Sequence, residues 1–471
     1  MSSASAYGHA LRHGREELTA SLAGASSVPF WLDRPQPDAR PKLLGETTAD
    51  LVVVGGGFCG LWTALMAKER EPNRDVVLVE GKRVAWAASG RNGGFVEASL
   101  THGDDNGQRH FAGELEAIEA LAAENFAALR ETLERYGIDA EWHEEGVLTV
   151  ATEPHQVEEL RAAGENVLEG DALRDVTKSP VVRAAVLHHE GQALVHPVKL
   201  ARGLLDACIA LGVRVHENTP VLHLSDDGDG DGVTVTTRNG VVHARQVALA
   251  TNGFPSLLKR NRLLTVPIYD YVLVTEPLTA AQLEDIGWVE GFGMSDLSRQ
   301  FHYYRKTADN RILWGGYDAV YHRGRRIKPE YDQRPETFER LADHFFTTFP
   351  TLRGITFTHA WGGMIDMSTK FVSFQGLAWG GKVSYSSGYT GLGVGATRFG
   401  AAVMLDLLSG VETPRTALTF PTTKPFPVPP EPIAYPAIHT IRAAIARSDE
   451  NGGKDGLLIR GMELFGIGFD S

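Results

Sequence analysis

The stretch Val52–Glu69, VVVGGGFCGLWTALMAKE, decides the fold. A β-branched apolar run ends in glycine, and a helix-like pattern of small and apolar residues starts directly behind it. Gly55, Gly57 and Gly60 form G-x-G-x-x-G. The first glycine permits the tight turn out of the strand, the second lets backbone approach a pyrophosphate, and the third lets the helix pack closely on the sheet. Phe58 and Cys59 fill the positions between, with Cys59 read as a small packing residue rather than a reactive thiol. A helix starting here points its unbonded N–H groups and positive dipole end at the turn. The segment Asp75–Glu80, DVVLVE, is a second short strand, followed by Gly81. A carboxylate at Glu80 accepts bonds from both ribose hydroxyls and repels a 2′-phosphate. Strand, glycine turn, helix and strand within about 30 residues make a βαβ unit, and hence a parallel sheet that binds a dinucleotide.

Working outward, Trp86–Phe95 reads WAASGRNGGF. A nicotinamide enzyme has no general need for a second glycine cluster so soon, whereas a flavin enzyme does, because the chain must pass the phosphates and slide against the ring. Gly93 and Gly94 are expected to face the flavin with bare backbone. Ser89, Arg91 and Asn92 are expected beside them, the first two bonding phosphate or ribose oxygens. The run ATNGF, Ala250–Phe254, follows a strand and returns the chain past the cofactor at Thr251 and Gly253. In SSGYTGLGVGATRFG, Gly388, Gly391, Leu392 and Gly393 precede another helix, whose N-terminus can stabilise negative charge on a reduced flavin. A nicotinamide-dependent dehydrogenase stays as a rival, distinguished by a purified protein without yellow colour.

The 471 residues suffice for two domains or one interleaved α/β unit. With 46 basic and 59 acidic residues, the net charge of −13 gives no general pull toward nucleic acid or an anionic membrane. Two cysteines, Cys59 and Cys208, exclude a disulfide framework, and no metal site is expected. There is no apolar leader and no run of about 18 apolar residues, so a cytoplasmic protein is the expectation. Residues 1–48, with four prolines between Pro29 and Pro41, read as an extended surface lead-in. Residues 113–136 and 196–212 read as helices, and Asn239-Gly240 as a hairpin turn. The acidic stretch 225–232, SDDGDGDG, reads as a solvated loop, because it lacks the glutamate that would complete a calcium loop.

The order of these motifs resembles the D-amino acid oxidase superfamily of flavoenzymes. The carriers are ASGRNGG after the first glycine turn, HPVKLARGLLDACIALGVRVHENTPV, ATNGF, WGG at Trp361–Gly363, and GYTGLGVG before the last long helix. ASGRNGG and WGG look most like the gamma-glutamylputrescine oxidase branch. The resemblance implies an α/β fold: a Rossmann-like FAD-binding domain interleaved with an α+β substrate domain built on a mixed or antiparallel sheet. The expected FAD-binding segments are 49–112, 190–265 and 356–425. The expected substrate segments are 113–189 and 266–355, and 426–471 is a proline-rich tail with a short helix. The NTPV match places Val221 by the adenine.

The family implies oxidation of a C–N bond, with hydride passing to the flavin, imine hydrolysis and reoxidation by O2 to hydrogen peroxide. Such chemistry needs orientation more than a strong base, so no catalytic base is named. SGRNGG contains neither His nor Cys, and neither cysteine is placed to reach the flavin, so the FAD is expected to be non-covalent. Family amino-acid oxidases carry a carboxylate-clamping arginine before the last strand. Here the run is HAWGGMIDMSTKFVSF, without arginine, which favours an amine substrate. Tyr303, Trp314 and Trp361 are the aromatic candidates for lining its pocket. Asp366 is the candidate partner for a substrate ammonium, and Arg305 an alternative clamp. The rivals are an amino-acid oxidase, an FAD dehydrogenase using another acceptor, and a flavin-binding protein without turnover.

Overall fold

The computed structural model describes residues 5–164, 166–228 and 232–464. Among the described residues most strands fall into two eight-stranded sheets. The first grows from the opening stretch. Gly45–Val54 lies parallel to Val76–Val79 on one side and to Gly240–Leu249 on the other, with Val52 level with both Val77 and Val247. Arg214–His216 and Val383–Ser387 extend the parallel core, and Phe374–Ala378 closes one edge antiparallel. Residues 51–54 and 76–79 are buried throughout, as strands covered on both faces must be. The predicted hairpin at Asn239-Gly240 joins Val233–Thr237 to Gly240–Leu249.

Helix Phe58–Arg70 covers one face, flanked by helices Pro197–Ala210 and Gly393–Ser409. Its interior is apolar nearly all round (Leu61, Trp62, Ala64, Leu65), which suits a helix walled in by others.

The second sheet is mainly antiparallel. Thr265–Thr275 pairs along its length with Phe357–Ser368 and, on its other edge, with Ile312–Gly316, which leads on to His302–Lys306, Gly293–Asp296, Val147–Ala151 and Ala184–His188. Helix Pro335–Thr348 packs behind it, and Phe345 and Phe349 interlock with Trp314 and Tyr304.

Several expectations are corrected here. The lead-in is not a loose surface strap. Arg15–Leu22 is helical, and Tyr7, Leu18 and Trp31 are buried, because widely spaced apolar anchors each find a separate pocket. Residues 45–48 already belong to the first strand. Residues 115–136, assigned to the substrate part, form a helix that packs into the first sheet's core through Ile118, Phe126 and Leu129. Conversely Phe357–Ser368, assigned to the cofactor part, is a strand of the second sheet. The tail holds a long helix, Ala434–Glu450, before the short Leu457–Leu464, and Asp449 of the long one accepts the N–H groups of Arg299 and Gln300. In the acidic stretch, Ser225 and Asp226 end a strand, and 229–231 lie outside the described residues. Among the described residues, no helix is long and apolar enough to cross a membrane.

Candidate active site

The glycine turn is built by close approach. Gly55 leaves the strand at φ +116°, where a Cβ would stand 2.4 Å from the Ala250 carbonyl oxygen. A Cβ on Gly60 would stand 1.9 Å from the Gly55 carbonyl oxygen, so the helix seats directly on the turn. Gly57 caps that helix with no side chain of its own; instead Ser89 Oγ accepts the Phe58 N–H at 3.0 Å. Glu80 ties the turn to the segment behind it. One carboxylate oxygen accepts the Gly56 N–H at 2.7 Å, and the other accepts the Lys82 N–H at 2.8 Å and Trp86 Nε1–H at 3.0 Å. Burial pushes its acidity down, and these bonds oppose the shift.

In front of the turn lies a cavity of about 700 Å³, within the range of cofactor sites. Its wall brings together Gly55, Gly57, Phe58, Cys59, Glu80, Gly81, Ser89, Arg91, Asn92, Val221, Thr251, Asp366, Gly391 and Gly393 from the sequence reading. Widely separated stretches of chain therefore converge on one groove. FAD fits it on structural grounds. The groove runs from a helix N-terminus bared by glycine, past a buried carboxylate, to a second glycine turn at Gly391 (φ +109°), with the second sheet as its far wall.

The other predicted residues stand behind the wall. Gly60 lies beneath the turn. A Cβ on Gly93 would meet the Tyr303 ring at 2.8 Å, and one on Gly94 the Val195 carbonyl oxygen at 2.2 Å. The Gly94 N–H is taken by Asn92 Oδ1 at 2.9 Å. These two glycines thus let the segment press against Tyr303, Arg305 and the Val195 carbonyl, and neither lines the groove. Gly253 abuts Met364, Gly388 abuts Phe374 and Ser368, and Leu392 packs into the core of the first sheet.

The aromatic candidates are redistributed as well. Trp314 is fully buried, 4.5 Å between ring centres from Tyr304, so it is core. Trp361 is also buried and donates Nε1–H to the Arg91 carbonyl at 3.0 Å. Together with Trp31 Nε1–H, which donates to the Asn92 carbonyl at 2.8 Å, it holds the RNGG backbone. Tyr303 is absent from the groove wall and donates its hydroxyl to Asp270. Arg305 is no clamp. It is buried, donates to the Val195 carbonyl at 2.6 Å, and is lowered to about 10 by burial. Asp366 does reach the wall, where one oxygen accepts the Gly388 N–H and so pins the second glycine turn; burial pushes it up to about 6.

The sequence reading missed Lys82, Trp86, Tyr269, Asp332 and Tyr389, all in the wall. Lys82 Nζ sits 3.9 Å over the Trp86 ring. Arg91 donates to Asp332 at 2.6 Å and to the Gly362 carbonyl at 2.9 Å, tying the cofactor segment to the second sheet. Tyr389 donates to Cys59 Sγ at 3.2 Å, and burial pushes that thiol up to about 11. No local pattern marks Asp332 as a wall residue, whereas Tyr389 lies within the GYTGLGVG run, between Gly388 and Gly391.

Residues 50–407 match the family described as DAO, FAD dependent oxidoreductase. The chain belongs to the DAO family. It is an FAD-dependent oxidoreductase. Among relatives of this DAO-family chain, gamma-glutamylputrescine oxidoreductase of Escherichia coli (strain K12) is 31% identical over 385 residues, 77% of this chain and 84% of that protein. A probable oxidoreductase OrdL of Haemophilus influenzae is 26% identical over 79% of this chain and 85% of its own length. Glycine oxidase from Geobacillus kaustophilus superposes with a TM-score of 0.65 at 18% identity, covering 80% of this chain and 99% of that one. L-proline dehydrogenase from P. horikoshii does so at 0.61 and 16%, covering 79% and 96%. At such identities the structural likeness establishes the fold.

Proposed function

We propose that the protein oxidises the C–N bond of an amine that carries no carboxylate needing an arginine clamp, with O2 as electron acceptor. The observation that carries this reading is the state of Arg91. Among the described residues it is the arginine in the groove wall, and it is consumed by Asp332 and the Gly362 carbonyl. The strand Phe357–Ser368, where an arginine would clamp an amino acid's carboxylate, gives the groove Met364, Ile365 and Asp366 instead. The name of the Escherichia coli relative, gamma-glutamylputrescine oxidoreductase, points to an amine as well, with the carboxylate of its γ-glutamyl group remote from the putrescine nitrogen.

FAD would be held by the turn at residues 55–58 and its helix at the pyrophosphate, by Glu80 at a ribose, by Val221 at the adenine, and by the turn at 391–393 at the flavin end. Bound there, FAD would supply the hydride acceptor for the carbon bearing the amine. The chain's own contribution is orientation. Trp31 and Trp361 lock the RNGG backbone, Asp366 locks the second glycine turn, and Arg91 ties the RNGG segment to Asp332 and to the Gly362 carbonyl of the second sheet. Cys59 stays protonated and bonded to Tyr389, which supports non-covalent FAD.

The test mixes the FAD-loaded protein anaerobically with primary amines, diamines and α-amino acids and follows flavin bleaching, then admits air and assays peroxide. Amines should bleach and peroxide should form. Bleaching by α-amino acids alone would refute the substrate class, and amine bleaching without peroxide would refute the acceptor.

A further inference from the structure

Beside the groove stands a carboxylate without a counter-charge. Asp270 lies on Thr265–Thr275 directly across from Gly363. Alternation puts its side chain on the face opposite Tyr269 and Tyr271, toward the RNGG segment. A Cβ on Gly363 would stand 3.4 Å from Arg91 Cβ, so the glycine lets the RNGG segment pack close to the strand beside the carboxylate. Tyr303 Oη–H donates to Asp270 Oδ2 at 2.5 Å. The tyrosine reaches it by lying over Gly315, where a Cβ would strike its ring at 2.6 Å. Phe95 stands edge-on to Tyr303 at 5.9 Å, and Phe301 lies 6.4 Å from it.

Asp270 keeps part of its surface open while Tyr271 and Val272 beside it are sealed. Ile365, on the same face and two beyond its cross-strand partner, lines the groove. Among the described residues, no lysine or arginine forms an ion pair with Asp270. A carboxylate in such surroundings is costly unless a cation completes it.

We propose that Asp270, oriented by Tyr303, against which Phe95 and Phe301 pack, receives a positively charged nitrogen of the substrate other than the neutral amine whose carbon gives up hydride, and so selects amines that carry a second, cationic nitrogen. This deepens the amine-oxidation reading and rests on it. An asparagine would serve a merely structural role equally well, since it too accepts the Tyr303 hydroxyl; it would not serve a cation.

Burial pushes Asp270 up to about 6, with Asp318 adding to the shift, and the bonds from Tyr303 and from the Tyr271 and Gly316 N–H groups oppose it. Arg91, across Gly363, is neutralised by Asp332. Cation affinity is therefore full above this value and falls toward tenfold per pH unit below it.

The experiment titrates oxidised, FAD-loaded full-length protein with tetramethylammonium, which has no N–H and forms no imine, and with neutral tert-butyl alcohol, reading the flavin's visible spectrum. The cation should bind in preference to the alcohol. Asp270→Asn should weaken the cation at least about tenfold and leave the alcohol unchanged. Tyr303→Phe, which removes a donor to the ionised form, should move the pH midpoint upward. Equal cation affinity in Asp270→Asn and the unaltered protein, or no preference for the cation, overturns the proposal. A midpoint unmoved in Tyr303→Phe overturns the tyrosine's part. Because the readout needs no turnover, an absence of amine bleaching would count against the proposed function alone.

Discussion

A methyl group added at Gly60 tests the construction of the cofactor turn. Its carbon would lie 1.9 Å from the Gly55 carbonyl oxygen, 3.0 Å from that carbonyl carbon and 3.4 Å from Val53 Cγ1. Ordinary non-bonded contact begins near about 3.5 Å. The obstacle is backbone, so helix Phe58–Arg70 must move off the turn by more than about 1 Å. Over-packing of this kind costs about 1–3 kcal/mol. The same displacement carries the Phe58 N–H away from Ser89 Oγ and misdirects the helix N-terminus that faces the groove. Gly60→Ala should therefore lower the resistance of apo-protein to urea by that amount and weaken FAD by about tenfold or more, since about 1.4 kcal/mol is tenfold. Gly57→Ala is the internal control. Its methyl meets only Ser89 Oγ, at 2.9 Å, and a hydroxyl on a rotatable side chain can turn away. Its stability loss should be the smaller of the two. FAD affinity by fluorescence titration and urea unfolding of both apo-proteins decide the matter. A Gly60→Ala protein with unchanged FAD affinity and stability refutes the reasoning, as does a larger loss of stability at Gly57.

Other outcomes follow from buried charges. Asp318 sits among Arg340, Arg442 and Arg334, and although burial alone would raise it, these cations and the Thr337 hydroxyl hold it below the usual carboxylate range. Asp318→Ala leaves the arginines uncompensated and should cost about 3–5 kcal/mol, seen as a lower urea midpoint; the stabilisation should be present above the ordinary aspartate value and fade as pH falls through the depressed one. Asp366 shifts the opposite way, to about 6, so between about pH 4 and 6 the folded state binds more protons than the unfolded state, and stability falls as pH rises. Asp366→Asn should gain on the parent protein by up to roughly 2–3 kcal/mol between pH 4 and 7, and a difference independent of pH would remove this explanation. Burial raises both thiols, Cys59 to about 11 and Cys208 further, so iodoacetamide should label neither in the native protein and both after denaturation; native labelling at either would contradict the packing described.

The βαβ unit was legible because its determinants are local. A β-branched run, three glycines at fixed spacing, a small-residue helix and an acidic strand end lie within about 30 positions, and steric freedom at φ +116° is a property glycine carries wherever it stands. The second glycine turn and the hairpin at Asn239-Gly240 were readable for the same reason. The order of motifs carried the family and, with it, FAD. The lead-in was misread because sparse apolar anchors such as Tyr7, Leu18 and Trp31 have no period to detect, and the packing of the chain alone decides whether each is covered.

Tertiary structure decided what the residues around the groove do. Gly93 and Gly94 look like bare backbone for a ligand, yet Tyr303 and Val195 occupy the space they leave. Trp314 and Trp361 look alike as pocket aromatics, yet one is core and the other a hydrogen-bond clamp on Arg91. The pairs Arg91–Asp332, Trp31–Asn92 and Asp270–Tyr303 join residues separated by 241, 61 and 33 positions. Backbone conformation depends on near neighbours and is written in short words of sequence. Charge compensation, solvent access and the direction a side chain faces depend on which distant strands lie alongside, so they exist only once the two sheets have closed on each other.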